Sequence, residues 1–185
     1  MAAINALGLT RGQNSTDDIN EKLPTSGTPT CAVKATGTLT LATKPTADDT
    51  ITIGTTIYTF NVTGTGPGAV AIGAAIADSK LALVAAINGT DANATPHPQV
   101  VATAFSGDDM VITAKLSGTA GNAIATTTDL NDGTDDFAAE AMSGGVVGTP
   151  GEIGDCFIDS AYLYYCVAEQ TDGANWRRIS LGSAY

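Results

Sequence analysis

Alternation between threonine and large aliphatic residues over residues 36–60 is the feature that most constrains how this chain folds. Residues 36–41 read Thr-Gly-Thr-Leu-Thr-Leu, and residues 50–60 read Thr-Ile-Thr-Ile-Gly-Thr-Thr-Ile-Tyr-Thr-Phe. Ile51, Ile53 and Ile57 alternate with threonine, whereas Phe60 is one step out of phase. A period of two is typical of half-buried strands. The 28 threonines and 21 glycines favour pleated strands joined by tight turns.

The same patterns predict six strands and one helix in the middle of the chain. We expect the strands near 36–42, 50–53, 56–61, 99–105, 109–115 and 122–128, with turns at Gly54-Thr55 and Gly107-Asp108. The helix is predicted over 72–88, ending before Gly89. Its core face is predicted to carry Ile76, Leu83 and Ile87, with Asp78 and Lys80 pointing elsewhere. This order predicts an α+β, β-rich fold, a mostly antiparallel sheet covered by one helix.

Breaks in periodicity divide the chain into three parts. Residues 1–34 hold scattered Gly and Pro and are predicted to form an extended N-terminal arm. Residues 35–148 form the β-rich domain, with a short helix expected at 137–142. Residues 149–185 are predicted to form a three-stranded meander with strands near 153–158, 162–168 and 175–181. A meander this small needs a partner surface, either the middle domain or a neighbouring subunit.

The charge of the chain argues against several classes of partner. The formal net charge is −11, and only 8 residues are basic. A nucleic-acid-binding protein needs a positive surface, and an anionic membrane would repel this chain. The sequence contains no apolar run long enough for a transmembrane helix. Three cysteines do not make a disulfide framework, and the first residues lack a signal-peptide pattern, so we expect synthesis in a reducing cytosol.

Residues with catalytic chemistry are scarce. The only histidine, His97, stands between Pro96 and Pro98, which predicts an exposed, extended loop. A serine or cysteine nucleophile would have to use this histidine. The sequence has no nucleophile elbow, phosphate-binding loop or zinc pattern. We therefore expect a protein that is not an enzyme and holds no cofactor.

The acidic run over residues 129–136 partly matches a calcium loop. Asp129, Asn131 and Glu140 fit positions one, three and twelve of an EF-hand, but Thr134 stands where the loop needs glycine. A solvated acidic loop is the alternative interpretation. A second open question concerns Cys156 and Cys166, which face each other if the hairpin loop is centred on Ala161. They would then form either a disulfide or two small buried hydrophobes.

The order of short motifs resembles proteins of tailed bacteriophages. A module recurrent in their virion proteins looks similar to the middle of this chain, and a segment common in phage head and tail proteins is similar to its end. The motifs are Gly37-Thr-Leu-Thr-Leu, Asp49-Thr-Ile-Thr-Ile-Gly, Tyr58-Thr-Phe, Ile72-Gly, Ala85-Ala-Ile-Asn, Gly118-Thr-Ala-Gly-Asn-Ala-Ile, Gly151-Glu, Tyr162-Leu-Tyr-Tyr-Cys-Val-Ala and Asn175-Trp-Arg-Arg-Ile-Ser-Leu. The resemblance implies a virion structural protein without enzymatic activity, and it carries no binding residues over.

These observations lead to one expected function and its alternatives. We expect a capsid decoration (cement) protein on the outer surface of a phage head, bound to the major capsid protein or other virion proteins. Decoration proteins often sit at three-fold positions, so the resemblance implies a homotrimer. The alternatives are a tail, neck or fibre-base component, or a carbohydrate- or receptor-binding module of the virion. The expected interface residues are Ile4, Leu7 and Leu9 in the arm and Tyr162, Tyr164, Trp176 and Tyr185 near the end.

Overall fold

The computed structural model describes residues 30, 32–91, 94–130, 133–148, 156–158 (backbone only), 161–167 and 176–182. The chain divides into two units, Lys34–Val146 and a second unit made of Met1–Val33 with Val147–Tyr185. Within the described ranges, the strands are β1 (Lys34–Thr40), β2 (Thr50–Ile53), β3 (Thr56–Asn61), β4 (Ala69–Ala71), β5 (Val100–Ala102), β6 (Asp109–Ser117), β7 (Thr126–Asp129), β8 (Cys156–Ile158), β9 (Tyr162–Cys166) and β10 (Trp176–Ser180). Helix α1 spans Ile76–Asn88, and a 3-10 helix spans Thr119–Ala123.

The predicted α+β, β-rich class is confirmed, and the strands of the larger unit are divided between two sheets. One sheet has the order β1-β6-β5 and is antiparallel throughout. The other has the order β4-β3-β2-β7, in which only the short β4 runs parallel to its neighbour. Strand β4 was not predicted, because its three residues, Ala-Val-Ala, are too few to show a period. The strand predicted at 122–128 overlaps the 3-10 helix, and β7 begins only at Thr126.

Alternation along the strands places one side chain in two in a common core. Leu39, Ile51 and Ile53 are fully buried, as the pattern predicts. The alternation predicts that Ile57 is buried, but its side chain is 56% exposed and its neighbour Tyr58 is buried instead. The register explains the difference: Tyr58 lies opposite Ile51 in the hairpin, and directly opposed residues share a face.

Helix α1 begins four residues later than predicted. The N–H of Ile72 donates to the Asn61 carbonyl, which continues the parallel pairing of β4, so the chain is still extended there. The helix starts after Ala75, whose N–H donates to the Asp78 carboxylate (3.0 Å). It ends as predicted at Gly89, which adopts a left-handed conformation with φ of 66°.

The core face of α1 differs from the prediction at two positions. Leu83 and Ile87 are fully buried, whereas Ile76 is only half-buried. Lys80 was predicted to point away from the core but is buried. Its ammonium donates to the Gly107 carbonyl (2.9 Å) and to the Asp108 carboxylate (2.8 Å). A long lysine stem can cross apolar surface when its charged end reaches such acceptors.

An extended segment, residues 136–143, connects the two sheets. On one side Ala138 and Ser143 donate N–H groups to β1, at the carbonyls of Thr38 and Thr36 (both 2.9 Å). On its other side the N–H of Met142 donates to the Ile124 carbonyl, just before β7. The prediction of a short helix at 137–142 is therefore wrong. Backbone pairing with two strand edges outweighs the helix propensity of Ala138, Ala139 and Glu140, because it satisfies groups on both sides of the segment.

Helix α1 lies at the opposite end of both sheets, against their last strands β4 and β5. The two sheets are thus joined through residues 136–143 at one pair of edges and approached by α1 at the other pair. One hydrophobic core fills the space between them. Its buried members are Ala35, Leu39, Leu41, Ile51, Ile53, Tyr58, Phe60, Val70, Leu83, Ala86, Ile87, Val100, Met110, Ile112, Ala114, Ile124, Phe137 and Met142.

Candidate functional site

The C-terminal sheet is an antiparallel meander with the order β10-β9-β8, as predicted. Register divides its side chains between two faces, because opposed residues share a face and neighbours along a strand alternate. Trp176, Arg178 and Ser180 oppose Cys166, Tyr164 and Tyr162 and define the aromatic face. Arg177 and Ile179 oppose Tyr165 and Leu163 and define the second face.

The aromatic face holds the small core of this sheet. Tyr164, Cys166 and Trp176 are buried, and Tyr162 packs against them. The rings of Tyr162 and Tyr164 meet edge to face, with centroids 6.0 Å apart and an angle of 61°. The guanidinium carbon of Arg178 lies 4.6 Å from the Tyr162 ring centroid, a cation–π contact that holds an exposed charge over a half-buried ring.

The second face is mostly apolar and largely open. Ile179 is 53% exposed, and Val167 and Leu181 follow at the ends of the two strands with similar exposure. Leu163 and Tyr165 are half-buried, and Arg177 is exposed beside them. Every residue of β10 after Trp176 is exposed, and β10 is one of the two outer strands of the sheet. Within the described residues, β10 contributes only Trp176 to a buried core. Its other residues form an exposed surface at which a partner can dock.

The predicted interface residues fall into two groups. Ile4, Leu7, Leu9 and Tyr185 lie outside the described residues. Tyr162, Tyr164 and Trp176 come together on the aromatic face, where only Tyr162 retains substantial exposure. An interface through these three residues stays a prediction. Arg177, Arg178 and Ile179 were not among the predicted interface residues, although two adjacent arginines in a chain with 8 basic residues were a usable signal.

Register corrects the geometry expected for the cysteines. Cys156 lies opposite Tyr165, one residue short of Cys166, which in turn lies opposite Trp176. The hairpin connection is therefore not centred on Ala161. A disulfide requires closely approaching β-carbons, and the register does not set the two cysteines opposite one another.

Two carboxylates of the acidic run accept hydrogen bonds from the protein and do not form a recognisable ion site. Asp135 is buried, and its two carboxylate oxygens accept from the N–H groups of Ala42 and Thr43 (both 2.7 Å). Asp136 accepts from the Thr128 hydroxyl (2.7 Å). Of the calcium candidates, Asp129 is exposed on β7, and Asn131 lies outside the described residues. No group of three potential metal ligands occurs in the part of the chain that the structure describes.

A small pocket lies beside Asp135. Its volume is about 120 Å³, and its lining includes Leu41, Asp49 and Leu130. Pockets for organic ligands are usually several hundred Å³ in volume. Asp49 is also occupied, because its carboxylate accepts from the Thr46 N–H (2.7 Å). The pocket is therefore too small to be the leading candidate for a ligand site. Its acidic groups also already accept hydrogen bonds from the backbone.

His97 corrects the prediction of an exposed loop residue. Its side chain is 1% exposed although its neighbours Pro96 and Pro98 are exposed, so this one side chain turns inward from the segment that links α1 to β5. The His97 N–H donates to the Ile87 carbonyl at the end of α1 (2.8 Å). Both ring nitrogens have backbone partners at the ends of strands, described below, so the ring is part of the core and is not open to a substrate.

Comparison with known proteins assigns this chain to no family. No protein-family model, no curated protein and no solved structure matches it. Within the described residues, no helix has the length and apolar character needed to cross a lipid bilayer. The observations that bear on function are therefore the two faces of the C-terminal sheet and the charge of the chain.

Proposed function

We propose that this chain is a non-enzymatic structural protein of a tailed-bacteriophage virion, and specifically a capsid decoration protein on the outer surface of the head. The observation that carries the assembly role is the exposed outer strand β10 with its apolar second face. Within the described residues, this sheet has strands of at most five residues and only three buried side chains, so its own core contributes little stability. Docking against another subunit would supply the missing contact area.

Charge supports the outer location and the choice of partner. A chain with a net charge of −11 would be repelled by packaged DNA, which favours the outside of the shell. Arg177 and Arg178 are exposed in this acidic background, so an acidic surface such as a second copy of the chain complements them. Arginines on an edge strand also discourage uncontrolled strand pairing, which suits a specific oligomer.

The contribution of each copy is small, and the number of copies compensates. Burying the exposed half of Ile179 would contribute about 1 kcal/mol, since full burial of such a side chain is worth roughly 1.5–3 kcal/mol. Contacts of this size become strong when a homotrimer engages a shell at several points at once. The trimer is the expectation that accompanies the resemblance to decoration proteins.

A binding experiment tests the surface and the location separately. Purified protein is added to phage heads assembled without it, and binding is measured by co-sedimentation and by particle reconstruction. Ile179→Asp should abolish binding, because it places a charge in the apolar second face. Leu116→Asp is the matched control, since Leu116 is 73% exposed on β6 and carries no proposed contact.

The outcomes distinguish the alternatives. Density on the outer head surface, lost in Ile179→Asp and kept in Leu116→Asp, supports the proposal. Density in the tail, the neck or the fibre base would replace the decoration assignment with that alternative. A strictly monomeric protein that never binds particles would refute both, and glycan-array binding at Tyr162 and Arg178 would then favour a carbohydrate-binding module.

A further inference from the structure

The buried imidazole of His97 connects strands of the two sheets. Its Nε2 lies 3.1 Å from the carbonyl oxygen of Ile53, the last residue of β2. Its Nδ1 lies 3.1 Å from the backbone nitrogens of Gln99 and Val100, at the start of β5. Strands β2 and β5 belong to different sheets, and they are not neighbours in either. The ring therefore hydrogen-bonds to both sheets.

This geometry determines where the ring carries its proton. Two backbone N–H groups donate to Nδ1, so Nδ1 must keep its lone pair and act as an acceptor. The proton then resides on Nε2, which donates to the Ile53 carbonyl. A second proton on Nδ1 would remove the acceptor and set an N–H against two other N–H groups. The neutral ring completes this set of hydrogen bonds, and the cation cannot.

The surrounding groups also oppose a charged ring. Burial lowers the pKa of His97 below its ordinary value of 6.5, the Lys115 charge acts in the same direction, and the bond to Ile53 opposes them. Lys115, on β6, donates from its ammonium to the His97 carbonyl (2.6 Å). Tyr58, on β3, has its ring centroid 6.3 Å from the imidazole and stays neutral, because burial raises its pKa to about 12.

We propose that His97 is an acid-sensitive joint, through which protonation breaks the connection between β2 and β5 and loosens the Lys34–Val146 unit. The proton comes from solvent and binds Nδ1, displacing the Gln99 and Val100 N–H groups. The unfolded chain binds this proton at the ordinary histidine pKa, whereas the folded chain resists it. The unfolded state therefore holds more protons as the pH falls below that value, and folding stability falls with it.

Thermal unfolding of the full chain tests the joint. Its unfolding equilibrium constant is measured by circular dichroism between about pH 8 and pH 5.5, above the range in which most carboxylates titrate. We expect the constant to rise as the pH falls below 6.5, with a limiting slope of about tenfold per pH unit for one proton. His97→Asn is the matched variant, because its amide oxygen can accept the same two N–H groups but does not titrate. Parallel pH profiles for the two proteins would overturn the proposal.

A direct measurement does not depend on how the variant folds. His97 is the only histidine in the chain, so its ring signals in a nuclear magnetic resonance spectrum of the untagged protein are unambiguous. We expect a titration midpoint below 6.5 and nitrogen shifts of the tautomer protonated on Nε2. A midpoint at or above 6.5, or the opposite tautomer, contradicts the joint. This inference does not rest on the virion function proposed above.

Discussion

Replacing Leu83 by alanine tests whether helix α1 completes the core of the larger unit. Leu83 is fully buried on α1, which packs against β4 and β5 at the outer ends of both sheets. Truncating a fully buried leucine removes apolar burial and leaves a cavity, at a cost of roughly 2–5 kcal/mol. Strands β4 and β5 limit how far the site can collapse, so we expect a residual cavity and a cost within this range.

Leu81→Ala is the control within the same helix. Leu81 is two residues away and 73% exposed, so its truncation removes little burial. Leucine and alanine have similar helix propensities, and the substitution should change the free energy of unfolding by less than about 0.5 kcal/mol. The difference between the two variants therefore isolates burial against the sheets from any effect on the helix itself.

The assay is thermal or urea unfolding followed by circular dichroism. For a unit of this size, 1 kcal/mol corresponds to a change in Tm of about 4 °C, so Leu83→Ala should melt roughly 8–20 °C below the parent protein. Leu81→Ala should melt within about 2 °C of it. Equal melting temperatures for the two variants would show that α1 does not pack as described, and the closure between β4 and β5 would be rejected.

Two further substitutions test polar groups in the same unit. Asp135→Asn should lower stability by about 2–3 kcal/mol, because it removes the charge and one acceptor from two backbone N–H groups, whereas the exposed Asp129→Asn should change it by less than about 0.5 kcal/mol. Tyr58→Phe should leave stability unchanged or raise it by about 1 kcal/mol, because the buried Tyr58 hydroxyl has no hydrogen-bond partner within the described residues. Urea unfolding of each protein measures both effects, and a loss above about 1 kcal/mol in Tyr58→Phe would contradict the second.

Local patterns predicted the elements that are determined by their own residues. Alternation placed β2 and β3, and Gly54 between them marked the hairpin, because a turn of two residues needs a left-handed conformation there. Gly89 marked the end of α1 for the same reason. In each case a few adjacent residues carry the signal, and the rest of the fold has little influence on it.

Long-range pairing decided the elements that the patterns missed. The segment 136–143 contains helix-forming residues, yet it lies extended because β1 and the residues before β7 offer hydrogen bonds on both sides. Ile57 faces solvent because register, and not hydrophobicity, selects the buried phase of β3. His97 is buried because residues far away in the sequence, Ile53 and Lys115, bond to it. No local window contains these partners.

The candidate surface was predictable in its aromatic half and not in its exposed half. Tyrosine and tryptophan in 162–176 indicated a cluster, and Tyr162, Tyr164 and Trp176 do share one face. The sequence does not show which of the two faces of the C-terminal sheet is covered and which stays exposed. The exposure of Ile179 and Arg177 follows from the position of β10 at the end of the sheet, which needs the strand order.

The two proposals concern different units of the chain, and this separation makes each a control for the other. Ile179 lies in the unit that contains the C-terminal sheet, whereas His97 lies in Lys34–Val146. Ile179→Asp should therefore lose particle binding but keep the pH dependence of unfolding. His97→Asn should lose the pH dependence but still bind particles at neutral pH, provided that it folds. A single variant that changed both properties would mean that binding depends on the folded state of the larger unit, and the assignment of the docking surface to β10 would then fail.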